Sequence, residues 1–129
     1  KETFYHGDFV YWNILRQKNK LSLIDFEYSI KSFLPLYDLC HYIYIGRNFY
    51  LKSMSKDEII FLIEKVKAFS NNEKSFIEEE NNKDNIIKSI IISYILYILY
   101  RFVFIEGNHS NSTKVIRSIK NILAIESIR

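Results

Sequence analysis

A polar stretch near the start of the chain constrains the fold more than any other part of the sequence. Two short apolar runs, residues 14–16 and 21–24, flank the polar residues 17–20. Apolar runs of this length around a polar turn are typical of a β-hairpin. Because hairpin strands are antiparallel, we expect Asn13, where the first strand begins, and Asp25, where the second ends, at the same edge.

Three side chains around this hairpin have the spacing of a phosphoryl-transfer site. His6-Gly7-Asp8 is followed after four residues by Asn13, which is the H-x-D-x-x-x-x-N form of a kinase catalytic loop, and a second Asp follows at a strand end. Mg²⁺ prefers oxygen ligands and takes few carboxylates from the protein, so Asn13 and Asp25 would suffice. Asp8 would orient the acceptor hydroxyl and take its proton. The alternative is a loop of ordinary turn-forming Asp and Asn residues.

Two further segments extend this pattern. Residues 22–29 contain Ile24-Asp25-Phe26-Glu27, and residues 34–43 contain the spacing P-x-x-D-L that ends at Asp38-Leu39. With the HGD loop, they make residues 4–45 resemble the aminoglycoside phosphotransferase and choline kinase superfamily, the small-molecule relatives of protein kinases. The resemblance implies an α+β, mainly helical, protein-kinase-like C-terminal lobe whose small β-hairpin carries the catalytic loop.

The resemblance also implies an activity, which is ATP-dependent transfer of the γ-phosphate to a hydroxyl of a small molecule. The acceptor would be an amino sugar, a choline-like amino alcohol or a sugar, with Mg²⁺ as cofactor and ATP as co-substrate. Asp8 would be the catalytic base, and Asn13 and Asp25 the metal ligands. Asp38 would be a buried acceptor that braces the catalytic loop, and His6 would also be structural.

Several of these residues have simpler roles open to them. Asp38 suits the helix dipole in the first turn of a helix, without any contact to the loop. Glu27 is either an outer-shell metal or substrate carboxylate, or it pairs with a nearby cation. In protein kinases the corresponding segment reads Asp-Phe-Gly, whereas here Glu27 follows Asp25-Phe26. This difference argues against an activation segment that flips between conformations. Trp12 either packs under the loop or stacks on a ligand. Cys40 and His41 point apart on a helix, so they do not suggest a metal pair.

Length and composition limit the possible functions. A chain of 129 residues is expected to be a single domain. Complete members of the resembled superfamily carry a preceding nucleotide-binding lobe, whereas here the loop begins at His6. We therefore expect residues 1–129 to lack the N-terminal lobe and to be inactive alone. The single cysteine fits a reducing cytoplasm, and the net charge of +3 includes no basic block that would indicate nucleic acid.

The rest of the chain predicts helices. Pro35 is placed to open a helix whose apolar face is Leu36, Leu39, Cys40 and Ile43. Residues 55–58 form a capping box before a helix over about 56–70 with the face Ile59, Leu62, Ile63, Val66 and Phe69. A last helix should bury Val115, Ile116, Ile119, Ile122 and Leu123, and His109 before it should be exposed. Residues 70–85 are expected to be a loop, in which Glu78–Glu80 form a solvated face or an acidic rim for a cationic acceptor.

Residues 86–105 are the most hydrophobic part of the chain. Lys88 and Arg101 interrupt them, so the sequence favours a buried core helix over a membrane span. The aromatic stripe Tyr94, Tyr97, Tyr100 and Phe104 is either part of that core or a site for an alkylammonium group. A non-catalytic binding or assembly module that has kept the fold is the rival to an enzyme.

Overall fold

A computed structural model describes residues 4–31, 33–70 and 83–125 of the chain. Within them the fold is α+β and mainly helical, as the sequence predicts. The strands are β1 (Phe4–Tyr5), β2 (Ile14–Gln17), β3 (Lys20–Leu23) and β4 (Ile30–Lys31), and the helices are α1 (Tyr37–Gly46), α2 (Lys56–Ser70), α3 (Lys83–Tyr100) and α4 (Ser112–Leu123). Short 3-10 turns cover Tyr11–Asn13 and Phe49–Leu51, and a π-helical turn covers Arg101–Ile105.

The predicted hairpin is confirmed. Strands β2 and β3 pair antiparallel with Ile14 opposite Leu23, and the turn between them places Lys18 at a φ of +53°. The Ile24 amide then donates to the Asn13 carbonyl oxygen at 3.0 Å, which extends the pairing past the strand end. A second small sheet pairs β1 with β4, so the chain before the HGD loop is tied to the chain after Asp25.

Helix α1 begins later than Pro35 suggests, and its most buried side differs from the predicted one. Leu36 has a φ of +56°, so regular helix starts only at Tyr37. The buried side chains are Tyr37, Cys40, His41 and Tyr44, whereas the predicted Leu36, Leu39 and Ile43 are half-buried. Aromatic rings make this face, because Tyr37, His41 and Tyr44 all contact the ring of Tyr94 on α3. Burial raises the pKa of the Cys40 thiol to about 12, so this cysteine acts as a core residue.

Helix α2 follows the sequence closely. Its capping box is confirmed, since Ser55 Oγ accepts from the Glu58 amide at 3.2 Å and Glu58 Oε1 accepts from the Ser55 amide at 3.0 Å. Ile59, Leu62, Ile63 and Val66 are fully buried. The prediction for Phe69 is wrong, because its side chain is 48% exposed.

Helix α3 packs between the other helices with one face, formed by Ile87, Ile90, Ile91, Tyr94, Ile95 and Ile98. Residues 83–105 are also long and apolar enough to cross a membrane, a test that core helices of soluble proteins pass as well. The aromatic stripe is divided, because Tyr94 is buried while Tyr100 and Phe104 are exposed. Residues 71–82, including the predicted acidic rim, lie outside the described part.

Helix α4 is rotated relative to the prediction. Val115 and Ile122 are buried as expected, but Ile116 and Leu123 are exposed. Ser118 faces inward instead, because its Oγ accepts a hydrogen bond from the buried Met54 amide at 2.8 Å. Ser118 thereby satisfies a buried amide that would be costly if left unpaired. His109, before the helix, is exposed as predicted.

Candidate functional site

The Asp38 carboxylate holds the HGD loop through the loop backbone. Its Oδ2 accepts from the His6 amide at 2.8 Å and its Oδ1 from the Gly7 amide at 3.0 Å. Asp38 is half-buried in the first turn of α1. Hydrogen bonds to an ionised acceptor are about twice as strong as neutral ones, so this pair fixes the loop to the helix.

His6 joins the loop to the end of the hairpin. Its Nε2 lies 2.8 Å from the Ile24 carbonyl oxygen, and its Nδ1 accepts from the Asp8 amide at 3.2 Å. With Nδ1 accepting, Nε2 carries the hydrogen that the Ile24 oxygen accepts. The imidazole therefore sets the separation between Asp8 and the residue that precedes Asp25.

Gly7 is required by both its backbone conformation and its surroundings. Its φ is +85°, and a Cβ at this position would lie 2.0 Å from the Tyr28 carbonyl oxygen. The chain after Asp25 therefore passes directly against the loop. Only a residue without a Cβ permits that approach.

Asp8 is held by donors from three separate parts of the chain. Its Oδ1 accepts from His41 Nε2 at 2.7 Å and from Arg101 Nη2 at 3.4 Å, and its Oδ2 accepts from Asn13 Nδ2 at 3.2 Å. The side chain is 18% exposed. Burial by itself would raise the pKa of Asp8, but the His41 hydrogen bond and the Arg101 charge outweigh it and lower that pKa. Asp8 is therefore an ionised carboxylate at neutral pH.

His41 is a site residue that the sequence reasoning missed. Its Nδ1 accepts from the Tyr94 hydroxyl at 2.8 Å, while its Nε2 faces Asp8. Burial lowers the pKa of His41 and raises that of Tyr94, so a neutral imidazole donates its Nε2 hydrogen to the carboxylate. The signal that could have found it is spacing, because His41 follows Asp38 by three residues and so shares its helix face.

Arg101 is the second residue that the sequence reasoning missed. Its Nη1 donates to the Gly7 carbonyl oxygen at 2.9 Å and lies 3.4 Å from the Tyr37 hydroxyl. Its guanidinium carbon lies 3.6 Å from the centre of the Tyr28 ring. One buried cation thus contacts the loop, α1 and the segment after Asp25. An arginine inside an apolar helix needs such partners, which the sequence alone could have indicated.

The π-helical turn begins at Arg101. The Glu106 amide donates to the Arg101 carbonyl oxygen at 2.9 Å, five residues back. Such turns are rare and occur frequently at functional sites. Here the turn ends α3 at the residue whose side chain reaches Asp8.

Asn13 lies beside Asp8 with a fixed orientation. Its Nδ2 donates to the Asp8 carbonyl oxygen at 2.9 Å as well as to Asp8 Oδ2. A reversed amide would put its oxygen against these two acceptors, so the network determines which atom is nitrogen. The side-chain oxygen Oδ1 of Asn13 is consequently left for another donor or a cation.

Asp25 is less tightly held than Asp8 and Asn13. It follows Ile24 directly, is exposed, and has a φ of +62°, a conformation that Asp tolerates better than most residues. Its side chain has no hydrogen-bond or ion-pair partner among residues 4–31, 33–70 and 83–125. The structure therefore joins Asp8 and Asn13 directly, and brings Asp25 near them through the backbone alone. Glu27 is exposed and contacts none of these three side chains.

The oxygens available suit a hard cation. The Asn13 side-chain oxygen Oδ1 and the Asp25 carboxylate are the atom types that Mg²⁺ prefers, and neither accepts a hydrogen bond from another described residue. In the same part of the chain, no three His, Cys, Asp or Glu side chains cluster as a ready-made metal site. This donor set fits an ion that is held partly by a substrate, as Mg²⁺ commonly is.

No protein-family model, curated protein or solved structure matches this chain. The arrangement of Asp8, Asn13 and Asp25 is therefore the basis for inferring a function.

Proposed function

We propose that this chain carries the catalytic loop of an ATP-dependent phosphotransferase that acts on a hydroxyl of a small molecule, within a kinase-like C-terminal lobe. The observation that supports it most is the Asp8 carboxylate, which is ionised, partly exposed and held by His41, Arg101 and Asn13. Arg101 needs a counter-charge, but the arrangement fixes this carboxylate through two further donors while leaving it 18% exposed. It suits a residue that must orient a substrate.

The hydrogen bonds divide the two oxygens of Asp8 by role. Oδ1 accepts from two donors, whereas Oδ2 accepts from Asn13 alone and retains capacity for the hydrogen of an acceptor hydroxyl. A carboxylate with a lowered pKa is a weak base. That is acceptable here because phosphoryl transfer depends mainly on positioning and charge stabilisation. Asp8 would orient the hydroxyl and accept its proton as the transfer completes.

Asn13 and Asp25 would hold the metal in this proposal. Mg²⁺, when bound with ATP, supplies positive charge beside the phosphoryl oxygens. Asn13 would present its side-chain oxygen Oδ1, because its side-chain nitrogen Nδ2 donates to Asp8. Asp25 would present a carboxylate with no competing partner in the described chain. A complete enzyme of this kind also needs a nucleotide-binding lobe, and it would act in the cytoplasm.

A non-catalytic binding module is the second candidate, and the exposure of Asp25 favours it. Isothermal titration of the full-length protein with ATP, with and without Mg²⁺, separates the two. The phosphotransferase predicts Mg²⁺-dependent ATP binding that weakens about tenfold or more in Asp25→Asn, which removes a charge and tolerates the same φ. Asp57→Asn, an exposed aspartate on α2, is the matched control and should bind normally. Absence of ATP binding supports the non-catalytic module instead.

A further inference from the structure

A cleft of about 320 Å³ lies beside the catalytic loop. Tyr11, from the 3-10 turn between Asp8 and Asn13, forms one wall, and Tyr42, which follows His41, forms another. The Tyr42 ring also contacts Phe9, the residue after Asp8, at a centroid distance of 5.5 Å. This volume falls in the range of small-molecule sites. The larger cleft, of about 400 Å³, is lined by apolar and uncharged polar residues around Leu34 and Ile90 and offers no charged group.

Two cations line the same cleft and contact one aromatic ring. The Arg47 guanidinium carbon lies 4.4 Å from the centre of the Phe61 ring, and the Lys65 ammonium nitrogen lies 5.5 Å from the same centre. Both residues line the cleft, and within the described chain no carboxylate lines it with them. Neither cation makes an ion pair with another described residue.

Arg47 and Lys65 differ in this from Lys52 and Lys67, each of which has a carboxylate partner. Lys52 pairs with Glu58, and Lys67 pairs with Asp84. Arg47 and Lys65 instead contact one aromatic ring, which keeps the guanidinium carbon and the ammonium nitrogen within about 10 Å of each other, so their like charges repel. A bound anion would offset that repulsion and accept hydrogen bonds from both side chains.

We propose that this cleft binds an anionic group, with the rings of Tyr11, Tyr42 and Phe61 as the apolar walls for the rest of the ligand. Resting on the proposed function, this inference makes the acceptor an acidic molecule, such as a sugar that carries a phosphate or a carboxylate. A planar guanidinium matches either group bidentately. An amino sugar or a choline-like alcohol would meet two unpaired positive charges here, which disfavours both.

Binding of two opposite probes tests the cleft directly. Phenyl phosphate and phenyltrimethylammonium share an aromatic ring and differ in charge. Trp12 is the single tryptophan of the chain, and its ring lies 4.9 Å from that of Tyr11, so its fluorescence reports on the cleft. We expect phenyl phosphate to bind and the ammonium probe to give no saturable change.

Charge-removing variants locate the site. Arg47→Gln and Lys65→Gln should each weaken phenyl phosphate binding about tenfold, which corresponds to the loss of one charge-assisted hydrogen bond. Arg117→Gln removes the same charge from the exposed face of α4 and should leave binding unchanged. All three side chains are exposed, and circular dichroism checks that the variants fold. Binding that ignores Arg47 and Lys65, a preference for the cationic probe, or no binding of phenyl phosphate overturns the proposal.

The cleft proposal and the proposed phosphotransferase function can fail independently of each other. If phenyl phosphate binds but ATP does not, the cleft assignment stands and the phosphotransferase fails. In an active full-length enzyme, Arg47→Gln should raise KM for an acidic sugar about tenfold with kcat unchanged. Turnover confined to amino sugars would overturn the acceptor assignment and leave the phosphotransferase intact.

Discussion

Replacing Gly7 by alanine tests whether the chain after Asp25 lies against the HGD loop. The substitution forces an L-residue to a φ of +85°, which costs about 1–2 kcal/mol. It also places a Cβ 2.0 Å from the Tyr28 carbonyl oxygen and 2.5 Å from the Tyr28 carbonyl carbon. These are backbone atoms, so the loop or the segment must move, at an overpacking cost of about 1–3 kcal/mol. We expect Gly7→Ala to lower the free energy of unfolding by roughly 2–5 kcal/mol.

The other two glycines provide matched controls. Gly107 has a φ of +65°, but an added Cβ would meet nothing within 4 Å, so Gly107→Ala should cost only the conformational part, about 1–2 kcal/mol. Gly46 is helical and its Cβ would meet Tyr11 at an ordinary 4.0 Å, so Gly46→Ala should be neutral or stabilise by about 0.5–1 kcal/mol.

Urea unfolding followed by far-UV circular dichroism measures all three variants. The expected order of unfolding free energy places Gly46→Ala at or above the natural protein, then Gly107→Ala, then Gly7→Ala. If Gly7→Ala is no less stable than Gly107→Ala, the Tyr28 backbone does not lie against the loop, which would contradict the contacts that Arg101 makes with both.

Three further substitutions probe the groups around Asp8. His41 has a pKa lowered below 6.5, so the unfolded chain binds a proton first as pH falls, and stability should drop below about pH 6.5 by up to roughly 1.4 kcal/mol per pH unit. Urea titrations at several pH values should show this slope flattened in His41→Gln. Arg101→Lys loses the stacking on the Tyr28 ring and the fork of guanidinium donors, and it should lower the free energy of unfolding by about 2 kcal/mol or more. Arg117→Lys on the surface should change it by no more than about 0.5 kcal/mol. Equal shifts of the melting temperature in the two variants would contradict the role of Arg101 in holding Asp8 and the loop. Asp38→Asn turns an amide donor toward one of two backbone amides and should cost about 1.5–3 kcal/mol by urea unfolding; an unchanged midpoint would show that the Asp38 carboxylate does not hold the loop.

The sequence predicts the parts of the fold that depend on local patterns. The hairpin follows from two apolar runs around a polar turn, and α2 follows from its capping box. These signals are local, because turn chemistry and capping involve residues only a few positions apart. The placement of Asn13 beside the end of β3 comes from the same pairing.

Long-range contacts explain what the sequence does not predict. Which side of α4 is buried depends on the Met54 amide that Ser118 satisfies, and Met54 lies 64 residues away. His41 and Arg101 reach Asp8 across 33 and 93 residues, so no local spacing pairs either residue with that carboxylate. The sequence does place an arginine inside an apolar helix. It cannot say which carboxylate that arginine will meet.

The charge in the cleft lined by Tyr11, Tyr42 and Phe61 is a second feature that the sequence does not predict. Arg47 directly follows α1 and Lys65 lies on α2, so the two meet only because these helices pack together. The resemblance leaves an amino sugar, a choline-like amino alcohol and a sugar open as acceptors. The surroundings of these two residues point to an anionic one.

The most direct test of the central claim is turnover by Asp8→Asn in the full-length protein, measured as γ-phosphate transfer from ATP to a panel of acidic, neutral and amino sugars and amino alcohols. Asp57→Asn, with the same loss of charge on an exposed helix, is the control. We predict that Asp8→Asn still binds Mg²⁺ and ATP but loses turnover by about 100-fold or more, while Asp57→Asn keeps it. Equal turnover in the two variants would contradict the assignment of Asp8 as the residue that orients and deprotonates the acceptor.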